Sequence, residues 1–519
     1  MSSKPTGVIA AGHPQTVGAA EEMLRDGGNA FDAVVAAHLT ACIAEPVLSS
    51  LAGGGFLLAQ TSAGEQQLYD FFAQTPLSRR PPDELEFYPI HADFGETKQE
   101  FHIGMGAFAT PGTVKGLYAI HRDLCTMPMK RLIEPAVRNA RFGIAMNSFQ
   151  AYIIDVVGPV FRSSKAAMKR YASQYGEKEL MAEGDILKLP DFADFLENLA
   201  REGEDLFYRG EVARLVDYAS RENGGHVTRD DFEAYEVLRR KPLHISYRGS
   251  GLAINPAPSS GGTLIAFALE LMKEIKPHKR PFGSAEHLLS LAGVQQQTDA
   301  ARLDFWLNHN MAAPGERMLD PEYMKAFQRQ IKNNPRFYRG TTHISVMDNM
   351  GNTASLTTSN GEGCGRLIPG TGIMMNNMLG EEDLHPGGFG GWDENKRISS
   401  MMAPAILNRS DGTVIALGSG GSNRLRTAIL QVLLNMTDYN MSLYDAVCRP
   451  RIHCEKDFLS IEHGFDGESL RPVLDAYPAH KIWSGSNLFF GGAHSVAFGP
   501  DGFQGAGDPR RGGVSTVVR

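Results

Sequence analysis

The sequence predicts a mixed α/β fold in which helices and strands from the whole chain build one layered unit, on three observations. Residues 341–359 carry two runs of period-2 alternation around Asn349-Met350-Gly351-Asn352, the pattern of a β-hairpin whose glycine supplies a positive φ. Residues 29–42 read as a helix that is apolar on nearly every side, which demands burial between layers. Helical and strand blocks occur on both sides of Gly340, so both parts of the chain contribute to the same structure.

Taken in order, Val8-Ile9-Ala10-Ala11 opens the chain as a strand and Gln15 to Arg25 follows as a helix stopped by Gly27-Gly28. Asn29 is the N-cap of the second helix, with Asp32 in its first turn and Glu45-Pro46 at its end. Leu51 to Leu58 enters a strand through Gly53-Gly54-Gly55. A phosphate-binding loop needs a following Lys and Ser/Thr, which are missing, so these glycines are read as close backbone packing. Strands alternate from about Leu58 to Phe71, and residues 76–95, rich in proline and charge, are expected to be loop.

Residues 115–234 read as amphipathic helices with short breaks, including Leu132 to Arg141 and Phe192 to Arg201. Asp230-Asp231 fits a helix N-terminus, where the dipole favours acids, better than a catalytic carboxylate pair. Strands resume at Leu243 to Tyr247. Ser259 and Ser260 are read as capping residues for a helix from Thr263 to Lys273, and another helix runs from Ser284 to Leu307. A polar, accessible segment, Pro321 to Arg339, leads to Gly340. There is no fixed-period repeat and no low-complexity run.

The chain has 519 residues, 42% hydrophobic and 21% charged, with a formal net charge of -8. That length is enough for a sizeable core, and the charge provides no basic footprint for nucleic acid. The five cysteines, Cys42, Cys125, Cys364, Cys448 and Cys454, are odd in number and form no Cys-x-x-Cys pair, which suggests reduced thiols rather than disulfides or a zinc site. Neither a signal-peptide h-region nor a run of about 18 apolar residues is present, so a cytoplasmic protein with no membrane partner is expected. No metal and no cofactor is expected.

Gly340-Thr341-Thr342-His343 is an unusual strand entrance. A threonine there is ordinarily just a β-branched strand former. If the chain is cut before Thr341, however, its hydroxyl becomes a nucleophile and its freed amine, with a reference pKa of about 7.7 to 8.0, becomes the base beside it. Gly340 fits this reading, because a carbonyl attacked during self-cleavage is best left unobstructed.

The company of this motif decides between the two readings. The helix of Asn29-Ala30 and Asp32-Ala33, the strand entered by Gly53-Gly54-Gly55-Phe56, the segment from Gly106 to Thr113, the Gly340-Thr341 entrance and Asp508-Pro509-Arg510-Arg511 together resemble the γ-glutamyltranspeptidase family of N-terminal-nucleophile hydrolases. The resemblance spans nearly the whole chain. It implies a four-layer αββα sandwich and self-cleavage into a helix-rich large subunit, 1–340, and a small subunit, 341–519, forming one intertwined catalytic unit. It also implies an acyl-enzyme on Thr341, made from a small amide or γ-glutamyl compound and resolved by water or an amine acceptor. A homo-oligomer is an open possibility.

By pattern, Gly418-Ser419-Gly420-Gly421-Ser422-Asn423-Arg424, between a strand at Val414 to Leu417 and a helix from Leu425 to Met436, is either an anion-binding turn or a plain tight turn. The resemblance places oxyanion donors on the backbone of Gly420 and Gly421. It also sets Ser359 beside the new α-amine and Ser399-Ser400 against a substrate α-carboxylate. Departures from the family pattern are equally informative. Phe72 stands where a carboxylate-clamping arginine is expected, Gly361 where an amine-binding Asn is expected, Met378 where Gln or Glu is expected, and Glu381 where Asp is expected.

Loss of the arginine fork weakens recognition of a free carboxylate. Arg366 and Arg397 either replace it from another direction or are surface charges, and a short segment from Glu381 to Ser399 suggests an open pocket. Three functions follow: a γ-glutamyltranspeptidase-like amidohydrolase or acyltransferase, a hydrolase of a different small amide such as an acylamide or β-lactam side chain, or an uncleaved, non-catalytic binding relative.

Overall fold

The computed structural model describes residues 4–93, 98–309, 316–319, 323–324, 340–381, 384 and 388–519. Apart from Tyr323 and Met324, the accessible segment expected before Gly340 lies outside the described residues.

Thirteen strands build two principal sheets. In chain order they are β1 (Gly7–Ala11), β2 (Gly54–Gln60), β3 (Gln66–Phe71), β4 (Leu238–Arg240), β5 (Leu243–Tyr247), β6 (Ser250–Ile254) and β7 (Thr342–Asp348), then β8 (Thr353–Ser359), β9 (Ala405–Asn408), β10 (Val414–Leu417), β11 (Ser495–Gly499), β12 (Gly502–Ala506) and β13 (Val514–Val518). The seven-stranded sheet has the order β4-β3-β2-β8-β7-β1-β13, and the six-stranded sheet the order β5-β6-β9-β10-β11-β12. All pairings in both are antiparallel. The predicted hairpin is β7-β8, in register from Thr342↔Thr358 to Met347↔Thr353, with Gly351 at φ 94° in its turn. Its two strands are flanked by β1 and β2, from the start of the chain.

Alternation along β1 partitions two cores. Ile9 and Ala11 face one core with the helices Pro14–Arg25 (α1) and Ala30–Ala44 (α2), whereas Val8 and Ala10 face the other, shared with the six-stranded sheet. That second core also takes the helices Ser260–Ile275 (α3) and Arg424–Thr437 (α5), together with Leu288, Leu291 and Ala301 of Ala285–His309 (α4). Every residue of α2 is buried, as its composition requires. Its start is fixed as expected: Asn29 Oδ1 accepts from the Phe31 and Asp32 amides, and Asp32 returns the bond to the Asn29 amide at 2.8 Å.

The triple glycine is explained by close packing. A Cβ at Gly53 would lie 2.4 Å from the Ser359 carbonyl oxygen and one at Gly55 2.5 Å from that of Thr357, so β2 presses directly onto the hairpin. Asp231 caps the helix Arg229–Ala234, in agreement with the non-catalytic reading.

Two local expectations are corrected. Within 76–95, Tyr88–Asp93 is a strand paired with Lys98–Ile103; Pro89 lacks an amide to offer, but a two-stranded ribbon tolerates it, and Tyr88 and Ile90 pack onto the first core. Ser259 occupies the N-cap position of α3 but caps nothing; its hydroxyl donates to the Ser400 carbonyl at 2.7 Å instead. All five cysteines are free thiols. Among the described residues, no helix is long and apolar enough to cross a membrane.

Candidate active site

Thr341 sits at the entrance of β7, 4% exposed, where residues from both sides of the hairpin converge. Its Oγ1 lies 3.4 Å from Ser359 Oγ, at the end of the partner strand. The Ser359 hydroxyl donates to the Gly340 carbonyl oxygen at 2.7 Å and accepts from the Gly361 amide at 3.1 Å. One hydroxyl therefore bridges the peptide group before Thr341 and the chain leaving the hairpin. A Cβ on Gly340 would fall 2.5 Å from the Gly361 carbonyl oxygen, so the expected absence of a side chain is a packing requirement as well.

The rest of the entrance is held by groups that the sequence reading did not single out. Glu362 Oε1 accepts from the Gly340 amide at 2.8 Å. Glu45, at the end of α2, accepts from Thr342 Oγ1 at 2.6 Å and Thr16 Oγ1 at 2.9 Å, and burial raises its pKa. Arg511 donates to the Thr341 carbonyl oxygen at 3.1 Å. His343 is fully buried between the Thr357 and Ser345 hydroxyls at 2.8 Å each, and desolvation pulls its pKa well down, so it is a neutral structural group. The signals were weak: Glu45 read as a helix end, and Arg511 as the last letter of a familial tetrapeptide.

The Gly418–Arg424 turn does reach Thr341. A Cβ at Gly420 would lie 2.2 Å from the Thr341 carbonyl oxygen, so only glycine lets this backbone approach. The Gly420 amide makes a long bond, 3.4 Å, to the Gly492 carbonyl, and Gly421 adopts φ 122°, in the region that favours glycine.

A narrow cavity of about 20 Å³ opens beside Thr341. Thr341, Ser359, Glu381, Ser400 and Ser422 form its polar lining, and Phe72, Met378, Leu384, Met401, Met402 and Leu425 its apolar lining. Leu384 of the Glu381–Ser399 segment lines the cavity with Met378, Met401 and Met402, while 382–383 and 385–387 of that segment, on which the expected openness turns, lie outside the described residues. Trp392 of the same segment is anchored under Arg79, 4.6 Å away, and against His226. A larger cavity of about 770 Å³, bordered by Gln66, Lys241, His244 and Thr263, contains none of the candidate site residues.

Gly361 lines neither cavity; at φ 61° it has the Asn377 and Glu381 side-chain oxygens where its own Cβ would be. Ser400 lines the cavity, but Ser399 does not; the Ser399 hydroxyl donates to the Pro258 carbonyl at 2.9 Å. Neither arginine lines the cavity: Arg366 is a part-exposed charge, in keeping with the surface reading, whereas the Arg397 side chain is buried. Arg366 pairs with Glu86. Arg397 lies behind Phe72, bonded to the Phe72 carbonyl and the Tyr235 hydroxyl, with Asp70 at 3.6 Å. Phe72 itself is buried and stacked on Phe56 at 5.6 Å.

Known proteins share this architecture. The chain is 31% identical to the glutathione hydrolase proenzyme of Escherichia coli over 527 aligned residues, covering 94% of this chain and 88% of that one. It is 30% identical to the acylase ACY 1 proenzyme of Pseudomonas sp. strain SE83, covering 96% and 91%. In fold it matches the cephalosporin acylase of Bacillus halodurans with a TM-score of 0.84 at 21% identity, over 99% of this chain and 96% of that one. The gamma-glutamyltranspeptidase family model matches residues 16–518, and the chain belongs to that family.

Proposed function

We propose that the chain is a self-processing amidohydrolase that cleaves itself between Gly340 and Thr341 and then uses Thr341 as an N-terminal nucleophile on a small amide whose acyl group is largely apolar. The observation that carries this reading is the cavity itself, in which Thr341 and Ser359 share a wall with Phe72, Met378, Met401 and Met402.

In the first step the Thr341 hydroxyl attacks the Gly340 carbonyl carbon. Ser359, already donating to that carbonyl oxygen at 2.7 Å, stabilises the developing oxyanion; the Gly340–Thr341 C–N bond then breaks, the Thr341 nitrogen takes the hydroxyl proton and leaves as the free α-amine, and water resolves the resulting ester. The products are the subunits 1–340 and 341–519. They stay joined, because strands from both are hydrogen-bonded side by side in the seven-stranded sheet, with β1 of the larger piece held between β7 and β13 of the smaller. The opposite facing of Val8 and Ile9 supports an αββα stacking of the two sheets and their helices.

In turnover, the Thr341 hydroxyl loses its proton to the freed α-amine as its oxygen bonds to the substrate carbonyl carbon. The Gly420 and Gly421 backbone faces the resulting oxyanion, the leaving amine takes the proton, and water or an amine acceptor releases the acyl group. Acylases and glutathione hydrolases both occur among the relatives. Here an acylase-type donor is favoured, because among the described residues no lysine or arginine lines the cavity to pair with a free carboxylate, whereas Phe72, Met378, Met401 and Met402 suit an apolar acyl group. The test is Thr341→Ala, which should leave a folded, uncut chain without amidase activity; activity in that variant would place the nucleophile elsewhere.

A further inference from the structure

Arg511 differs from the buried arginine beside it in the chain. Its neighbour Arg510 is matched by Glu462 at 2.6 Å and Asp508 at 3.2 Å, whereas the hydrogen bonds of Arg511 run to two carbonyl oxygens, Thr341 at 3.1 Å and Leu488 at 3.5 Å. It is 2% exposed. Three glycines clear its path: a Cβ at Gly492 would meet its Cδ at 2.4 Å, one at Gly420 its Nη1 at 3.0 Å, and one at Gly421 its Nη2 at 3.2 Å. Burying a guanidinium without a carboxylate in contact is costly, yet the backbone is shaped to place one on this carbonyl.

We propose that Arg511 is a positioning residue for Thr341: its guanidinium fixes the Thr341 carbonyl, and its charge keeps the amine released by cleavage neutral and so able to act as base. The proposal rests on the N-terminal-threonine reading above.

The amine and the clamped oxygen belong to one residue, so covalent geometry holds them within about 4 Å of each other. Arg511 Nη1 is 3.1 Å from that oxygen, which puts it within about 7 Å of the amine, and a like charge at such a range in a buried site disfavours the ammonium form. Other groups face the same point. Glu362, on the Gly340 amide, and Glu381, in the cavity, oppose the effect where ionised. Glu45 acts through Thr342 and is biased toward its neutral form by burial. Arg424 adds positive charge behind Arg511, and burial keeps His343 and His494 neutral. Asp508, which pairs with Arg451 and Arg510, offsets part of the Arg511 charge, and Arg511 is the charged group bonded to Thr341 itself. Burial and Arg424 lower its own pKa to about 10, which still leaves it charged at neutral pH.

The test compares the pH dependence of kcat/KM for wild type, Arg511→Lys and Arg511→Gln, using the p-nitroanilide that wild type turns over fastest. Wild type should show an ascending limb below the α-amino reference of about 7.7 to 8.0. Arg511→Gln keeps a donor but not the charge, and its limb should move up by about one pH unit. Arg511→Lys should leave the limb in place at a reduced rate. A processed Arg511→Gln enzyme with the wild-type limb overturns the proposal. If Arg511→Gln does not fold, the wild-type profile decides alone, a limb at or above the reference being the contrary result. If it folds but stays uncut while Arg511→Lys is cut, the clamp is supported; if both stay uncut, the role of the charge is refuted. Thr341→Ala separates the two readings, since turnover by that variant refutes the nucleophile assignment itself, whatever the Arg511 variants show.

Discussion

The Ser359 hydroxyl donates to the carbonyl of Gly340 at 2.7 Å, so the peptide bond proposed to break is polarised by a residue on the opposite strand of the same hairpin. The β7-β8 register, with Thr342 opposite Thr358, enforces this meeting. Ser359→Ala removes the donor, and loss of one oxyanion-type donor typically costs about 10²- to 10³-fold in rate. Self-cleavage should slow by that order, read as conversion of one gel band into two, while Ser359→Thr should retain most of it.

Gly420→Ala tests the other wall. The added methyl would stand 2.2 Å from the Thr341 carbonyl oxygen, a backbone atom that no rotamer change can move aside. Displacing a reacting group by about 1 Å can cost about 10²-fold. Cleavage and turnover should therefore fall together by about that factor, with circular dichroism unchanged.

Donor choice follows from Phe72. With Arg397 committed behind it and Arg366 bound to Glu86, no guanidinium reaches the cavity from either. γ-Glutamyl p-nitroanilide should have a kcat/KM at least about tenfold below that of an apolar acyl p-nitroanilide. Efficient turnover of glutathione would contradict this. Phe72→Ala should cost about 3–5 kcal/mol of stability, since the ring is buried and stacked on Phe56.

Acid sensitivity should centre on Asp508. Burial alone would raise the pKa of this carboxyl, but the Arg451 and Arg510 guanidinium groups, with Arg451 at 2.7 Å, outweigh it and hold it well below the usual carboxylate range. A depressed folded-state pKa means that the stabilisation is fully present above the unfolded value of about 4 and is lost as pH falls through the folded one. In the single-chain Thr341→Ala background, Asp508→Asn should cost about 3–5 kcal/mol at pH 7 by urea unfolding. Its deficit should shrink as both chains are taken toward acid.

What was legible in the sequence was what local chemistry dictates. The hairpin, the capping box of Asn29 and Asp32 and the all-apolar α2 each follow from periodicity and cap preference, and the structure has them. The glycine turn was legible as a turn, but its contact with Thr341 depends on how the two sheets stack. Arg511, Glu45 and Glu362 were not legible as site residues, because each acts across hundreds of positions or through a turn that only the fold brings round. Ser399 and Ser400 show the limit of adjacency, as successive residues in extended chain point opposite ways and only Ser400 lines the cavity. The shortness of the Glu381–Ser399 segment likewise said nothing of Trp392, which packs under Arg79 at 4.6 Å.

The most direct measurement is the intact mass of the purified protein, with the N-terminal sequence of each chain. Self-cleavage predicts two masses, those of residues 1–340 and 341–519, the smaller chain beginning at Thr341, and one uncut mass for Thr341→Ala. An enzymatically active preparation consisting only of the intact 519-residue chain, or one whose small subunit begins at another residue, would contradict the account.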